Sequence, residues 1–564
     1  KLEIDANGGQ WRTCRFSGEK FYVRPEDIAF YKRIRVPLPT LSPHERTRRK
    51  FGFANIFNLF RAKSAYSEKT IIAAYPPTTP YKIYEHEIWN SDIWDPFDFG
   101  TTYDPDTSFF EQYRDFQLSV PRPSLFQVNC ANSDYTNSVY NVKDCYLVFD
   151  AMESEDCAYS SWLDYSKGCY NCYGTMRSDT CYETLTSEDS FKLFFSEISR
   201  NCMESSFLYD CRNCEHCFAC TNLRNKKYCF LNEQLTKEEY NKRVGEINLG
   251  DRNVAARWQE KLEELKKGAI HRAHRNERSV NCIGDWIRDS KNCYQSNYVV
   301  QSENIAYCLG GGKTRDSYDT IVGVGSELAY DTMGFDTYFT KFSMEVNSVR
   351  ESEYCNLCKN CSNCFGCIGL KNKSFCIFNV QYSEEEYWRI VDTIKTNMLA
   401  SAEYGEFFPP ELCPIPYNIS VATSFSGFED VENAVRFGYK VEEIPPNISG
   451  SSGEEIRADD VPRDIKDVSD DILTKIIVDE KNGKKFRYIK KELDFHRKHN
   501  LALPIEYYMV GLERKRHAIG PISFGLRTRV CAKCGETTPA TMAEDYPGAP
   551  EKVYCESCYN AEVA

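Results

Sequence analysis

Apolar positions in this chain return with a period too short for any helical repeat. From Ala131 the sequence divides into twelve-residue rungs headed ANS, KDC, EDC, KGC, DTC, DSF, RNC, RNC and RNK. These set Cys145, Cys157, Cys169, Cys181, Phe191, Cys202 and Cys214 in one column, within a residue. Such a rung matches one coil of a narrow β-solenoid, whose strands pair in parallel about 4.8 Å apart. A second run sets Cys282, Cys293, Ile305, Ser317 and Ala329 in a column, loses the beat after Ala329 and regains it at KNC, residues 359–361. CRNCEHCFACTNLRNKKYCFLNEQLTKEEY from Cys211 matches CKNCSNCFGCIGLKNKSFCIFNVQYSEEEY from Cys358 without a gap, so the two runs are duplicates.

Helical spacing appears between and after the runs. KEEYNKRVGEI and ARWQEKLEELKKG predict a helical connector, and SEEEYWRIVDTIKTNM predicts a Ser-capped helix closing the second run. The two ends are also related. KFYVRPEDIAFYKRIRVPLP from Lys20 aligns with KFRYIKKELDFHRKHNLALP from Lys485, each reading as strand, amphipathic helix and proline-stopped turn. The sequence near Leu59 likewise corresponds to that near Leu526.

The expected fold is mainly β with α: two twelve-residue β-solenoids with helical caps, flanked by two homologous zinc-ribbon-like modules. The expected boundaries are a degenerate ribbon module with an aromatic and acidic segment (1–127), a first solenoid (128–235), a connector (236–278) and a second solenoid (279–382). A capping helix (383–404), an irregular linker (405–465) and a C-terminal ribbon module (466–564) follow.

Of 27 cysteines, 21 lie between Cys130 and Cys376, most at one per rung in the first run, which leaves no partner within the rung. Reduced, buried packing thiols are therefore preferred over a disulfide framework. Net charge is −13 but unevenly placed: residues 11–63 and 481–530 each carry 13 Lys/Arg against 4 Asp/Glu, so basic ends flank an acidic middle. No apolar run approaches the ~18 residues that span a bilayer and no leader precedes Trp11, which points to a soluble cytoplasmic protein. The chain opens on Lys1 without Met, as a truncated N-terminus would.

CAKC at Cys531 and Cys534 with CESC at Cys555 and Cys558 supplies four thiolates at structural-zinc spacing, and one closed, non-catalytic zinc is expected there. In the N-terminal copy Lys63, Tyr66, Glu85 and Ile88 stand at the aligned positions. An earlier degenerate set reads Cys14, Ser17, Ser42 and Glu45, so no zinc is expected at that end. Two dense clusters, Cys211, Cys214, Cys217 and Cys220, and Cys355, Cys358, Cys361, Cys364 and Cys367, are open to two readings: a second metal or cluster, or core packing, the latter preferred. GGGKT at 310–314 lacks the spacing of a P-loop. The HxxH pairs His271/His274 and His496/His499 read as solvated helix faces. Tyr146, Tyr170, Tyr182 and Tyr294, each following a ladder Cys, should face outward, either to stack ligands or to shield the core.

Over almost its full length the chain resembles an uncharacterised family of environmental bacteria that combines Cys-rich repeats with terminal zinc ribbons. The resemblance is carried by FYVRPEDIAFYKRIRVPLPTLSPHER, CFACTNLRNKKYCFLNEQ and CAKCGE with VYCESCY. It implies the architecture and no activity. Ser42 and Glu45 depart from the ribbon motif.

The leading functional expectation is a non-enzymatic scaffold engaging RNA, a ribonucleoprotein or another assembly through Arg46, Arg48, Arg49, Lys50, Arg514, Lys515 and Arg516. Eight scattered histidines, no nucleophile elbow and no open metal position argue against an enzyme. The alternatives are a metal- or redox-active protein using the Cys clusters and a structural subunit of a particle or filament. The sequence sets no oligomeric state.

Overall fold

A single bonding rule repeats through the middle of the chain in the computed structural model, which describes residues 4–443, 453–520, 526–545 and 548–563. Around Cys145, whose side chain is buried, the Tyr146 amide donates to Cys157 O in the next coil at 3.0 Å. The Leu147 amide donates to Asp134 O in the previous coil at 3.1 Å. Leu147 is left-handed (φ 51°) and turns the corner. Each triplet is thus one inward residue, one bridging residue and one corner. Non-glycine residues resist that corner conformation, least so Asn and Asp, which explains the Asn or Asp before so many inward cysteines.

The inward amide is served by a side chain twelve residues earlier. Cys145 N–H donates to Ser133 Oγ (3.2 Å), Ser166 N–H to Ser154 Oγ (3.3 Å) and Cys169 N–H to Cys157 Sγ (3.4 Å). Inward thiols in turn donate to carbonyls, as Cys157 Sγ does to Glu155 O at 3.3 Å. A buried amide needs a partner, so inward positions favour residues that are small and can also hydrogen-bond.

These triplets build two parallel stacks. In the first, Asn137–Tyr140, Tyr146–Met152, Ala158–Asp164 and Tyr173–Met176 pair in order, then Phe191–Phe194, Met203–Tyr209, Glu215–Thr221 and Lys227–Phe230. Single bridges such as Asp179 with Phe191 join the two groups. The register is twelve residues, with Tyr146 opposite Ala158 and Met203 opposite Glu215. One expectation is corrected here. The column of Cys145 to Cys181 continues as Leu193, Ser205, Cys217 and Cys229. Cys202 and Cys214 share a neighbouring column with Ser190, whose Oγ accepts from Cys202 N–H at 3.2 Å, and Phe191 holds a bridging position. Inward residues recur every three positions, so the column read from the rung heads slipped by one triplet at DSF.

The second stack runs by the same rule, and its lost beat has a specific cause. Glu327 bridges to Tyr338 and Tyr330 to Lys341, an eleven-residue coil; a second joins Val280 to Lys291. The missing residue falls at Gly334 in one and Gly284 in the other, where the register shifts. A Cβ on Gly284 would lie 1.8 Å from Ser296 O, and one on Gly334 2.4 Å from Val346 O, so only glycine lets the shortened coil close.

Both stacks end alike. Asn232 bonds Thr221 N–H and O, and Asn379 bonds Ile368 N–H and O in the same way. Each then folds into a short antiparallel strand and a helix opened by a capping box, Thr236 with Glu239 and Ser383 with Glu386. The connector holds helices Lys237–Gly245 and Arg252–Gly268.

The largest apolar core lies outside the stacks. Residues 405–443, expected as an irregular linker, pack Phe407, Phe408 and Tyr417 fully into it, against the N-terminal units and the second stack. Residues 444–452 of that expected linker lie outside the described residues.

Candidate metal centre

Four hairpin-and-knuckle units occur among the described residues, two before the stacks and two after them. The first pairs Gln10–Thr13 with Lys20–Val23, the second Phe60–Lys63 with Thr70–Ala73, the third Ile476–Asp479 with Lys484–Phe486 and the fourth Arg527–Val530 with Thr537–Ala540. Backbone bonds fix their correspondence. Arg15 N–H donates to Thr40 O (3.1 Å), Ala65 to Ile83 O (2.7 Å) and Ala532 to Val553 O (2.8 Å). Four residues after each knuckle begins stands a left-handed residue: Gly18, Glu68, Gly483 or Gly535.

Only the fourth unit carries four cysteines. The sulfurs of Cys531, Cys534, Cys555 and Cys558 lie within 4.8 Å of one another, and among the described residues no other set of three or more ligating side chains converges so. Cys534 Sγ is 3.9 Å from Cys555 Sγ, close to the ~3.8 Å edge of a tetrahedron with metal–sulfur bonds of ~2.3 Å. Burial opposes ionisation of Cys531, but amides of Cys534, Cys555 and Lys533 overcome it and bring the thiol down to about 6. The site can therefore hold a metal ion on four thiols.

The second unit shows what replaces a metal. The structural equivalents of Cys531 and Cys534 are Ser64 and Ser67, one residue beyond the expected Lys63 and Tyr66. Ser64 N–H donates to Lys69 O at 2.9 Å as Cys531 N–H does to Glu536 O at 2.8 Å. Both serines donate their hydroxyls to Glu85, Ser64 at 2.5 Å. A Ser–Ser–Glu hydrogen-bond cluster thus ties the two halves of the unit, with Ile88 completing the set. In the first unit the residues are Cys14, Ser17, Ser42 and Glu45, as expected. In the third, Asp479 and Asn482 bond each other at 2.8 Å, and Asp479 accepts from Tyr507 N–H at 3.0 Å.

The fourth unit is anchored to both stacks. Its strand Val553–Tyr554 pairs with His271–Arg272, which leads into the second stack. Tyr559, next to Cys558, donates to Asp210 and accepts from Arg224 (2.5 Å), both of the first stack. Neither Tyr559 nor this pairing has a signal in the sequence, because the partners lie more than 270 residues away.

The first dense cluster goes once round its coil, one thiol per side, and the second goes one step further, so that Cys367 stacks on Cys355. Cys211, Cys214, Cys217 and Cys220, like Cys355, Cys358, Cys361, Cys364 and Cys367, are buried and donate to backbone carbonyls, for example Cys220 Sγ to Phe218 O at 3.3 Å and Cys361 Sγ to Lys359 O at 3.3 Å. Burial pushes the Cys220 thiol up to about 12, whereas hydrogen bonds from the neighbouring Cys358 and Cys364 bring Cys361 down to about 4. It is geometry that sets the clusters apart, since among the described residues neither brings three sulfurs together as the C-terminal set does.

Six of the seven basic residues are not surface features. Arg46 pairs with Asp319 (2.8 Å), Arg48 with Glu45 (3.0 Å), Arg49 with Glu406 (3.3 Å) and Lys50 with Asp331 (2.5 Å), and all four bases are at most 5% exposed. Lys515 is buried against Glu183 (2.6 Å) and Arg516 lies over Phe57, while Arg514 pairs with Glu506 (2.7 Å). Except for Arg514, which stays exposed, the expected polyanion surface is therefore spent inside the molecule.

Other expectations shift for the same reason. Tyr170 and Tyr182 do leave the coil outward, but the C-terminal units cover them, and both are buried. His496 is fully buried beside the Tyr182 ring, and burial holds it down to about 4. His271 sits on a strand and bonds Tyr209 Oη at 2.9 Å. Neither is on a solvated helix face. Gly310 in GGGKT is a left-handed corner.

Among the described residues no helix is long and apolar enough to cross a membrane. No family model matches the chain, and no curated protein matches it. Among solved structures it is similar to one from Desulfovibrio desulfuricans G20 described as a "putative acetyltransferase", at 8% identity with a TM-score of 0.11. The match covers 43% of this chain and 63% of that one, and it is too weak to bear on fold or function.

Proposed function

We propose that the chain is a non-enzymatic, zinc-containing scaffold: two twelve-residue β-solenoids held together by ribbon modules, one of which is locked by a zinc on four cysteines. The observation that carries this reading is the placement of the four-cysteine unit where its strand and Tyr559 hold the two stacks to each other. The lack of four thiols in the other three units, with hydrogen bonds at those positions in the second and third, fits a metal kept for structure. Repeat thiols that donate to backbone carbonyls and, among the described residues, do not converge as the C-terminal four do support core packing over a redox or cluster role. An RNA partner rested on basic side chains that are ion-paired within the chain, and no other observation favours it.

Elemental analysis of the purified chain tests the proposal. About one zinc per chain, lost in Cys558→Ser together with protease resistance of the C-terminal unit, is expected. Two or more metals per chain, or a zinc whose loss leaves the C-terminal unit equally resistant, would overturn it.

A further inference from the structure

Between the first stack and the opening coils of the second lies a partly enclosed cavity of about 90 Å³. Its apolar walls include Trp162, Trp286 and Tyr298, with Trp162 edge-on to Tyr298 at 5.1 Å. Gly174 keeps it open: a Cβ there would stand 3.1 Å from the Trp162 ring, and its φ of +70° is one that other residues resist.

The charges around it do not cancel. Five arginines line the cavity against three carboxylates. Arg200, Arg212 and Arg288 share Glu188 and Glu277, all at 3.1 Å or less. Asp210 is already bonded to Arg224 and Tyr559. The carboxylate contacts of Arg272 and Arg275 are long, to Glu277 and Asp285, both at 3.6 Å, and Arg275 also bonds Tyr209 and lies over the Trp286 ring at 5.0 Å. Three buried lining atoms have no hydrogen-bond partner, Arg272 Nε, Trp286 Nε1 and Thr186 Oγ1; the first two can only donate, and the hydroxyl can donate as well. Buried donors without acceptors are costly, and a ligand that supplies acceptors relieves that cost.

We propose that this cavity binds a small organic or inorganic oxyanion, a carboxylate or phosphate held by Arg272 and Trp286 N–H, with any short apolar part against Trp162 and Tyr298. The volume bounds the ligand, since a cavity of ~150 Å³ takes benzene. Arg272 also stacks over the Tyr559 ring at 4.2 Å, so the site adjoins the four-cysteine unit. It does not depend on the scaffold reading.

Calorimetric titration of the full zinc-loaded chain with inorganic phosphate and, separately, acetate tests the site and distinguishes the two head groups. Saturable binding of at least one probe at about millimolar Kd or tighter is expected. Arg272→Gln and Trp286→Phe should each weaken it about tenfold or more, whereas Arg350→Gln on the exposed surface should not. Unchanged zinc content and Tm in the variants show that the fold is kept, and if Arg272→Gln unfolds the chain, Trp286→Phe, which keeps an aromatic ring, decides. No saturable binding of either probe, or binding that survives these substitutions, would overturn the proposal.

Discussion

The Phe30 ring stacks on Tyr318 with centroids 3.9 Å apart, and the same contact recurs between Phe495 and Tyr170 at 4.2 Å. Around it Tyr307 donates to Asp27 and Tyr159 to Glu492, each at 2.9 Å, while Lys50 meets Asp331 and Lys515 meets Glu183. The N-terminal units thus dock on the second stack as the C-terminal units dock on the first. Tyr307→Phe and Tyr159→Phe should each cost about 1–3 kcal/mol in urea unfolding and add in combination, since the two docks are separate. Strong non-additivity would show that they are not.

Acidity should act on one dock in a defined direction. Burial pushes Glu492 up to about 8 despite the Tyr159 hydrogen bond, and Glu345 up to about 7. Folded chains then hold protons that unfolded carboxyls, near ~4.3, have released. Their contribution is complete below that value and is lost as pH rises through 7 to 8. Histidines held low in the folded chain oppose this trend until their unfolded forms, near ~6.5, have lost their protons at about pH 7.5. The Tm should fall from about pH 7.5 to 8.5, and less steeply in Glu492→Gln; an unchanged slope in that variant contradicts the assignment.

A metal site should be restorable in the second unit. Ser64→Cys, Ser67→Cys, Glu85→Cys and Ile88→Cys together place thiols where the fourth unit has them, and elemental analysis should then find about two zincs per chain. The set built on Lys63 and Tyr66 instead should stay at one.

Ser343 probes the inward bonding rule. Its Oγ accepts from Cys355 N–H at 3.1 Å and donates to Lys341 O at 2.9 Å. Ser343→Val should cost about 1–3 kcal/mol by stranding a buried amide, and Ser343→Cys clearly less. Equal costs for the two would leave size, and not hydrogen bonding, as the selective factor.

Gly334→Ala should cost about 2–4 kcal/mol in thermal or urea unfolding, because its Cβ would press on Val346 O. A Tm within a degree or so of the parent would mean that the short coil can relax.

The twelve-residue period, the duplication and the four-cysteine set were legible in the sequence because each is local: a coil bonds its neighbours twelve residues away, and two knuckles meet across one hairpin. The slip at Phe191 shows the limit of that legibility, since a chain with an inward residue every third position offers four equivalent columns. Which serines replaced cysteines was also hidden, because Ser64 and Ser67 are identified by the left-handed Glu68 after them and not by side-chain chemistry. Tertiary structure alone decided the fate of Arg46 and Lys50. Their charges looked like a surface for a partner, yet Asp319 and Asp331, more than 270 residues away, take them into the interior, where desolvation leaves a charge stable only with a counter-ion beside it. It alone also placed Arg272 and Trp286 around one cavity, since that depends on how the two stacks lie side by side, which no period in either stack encodes.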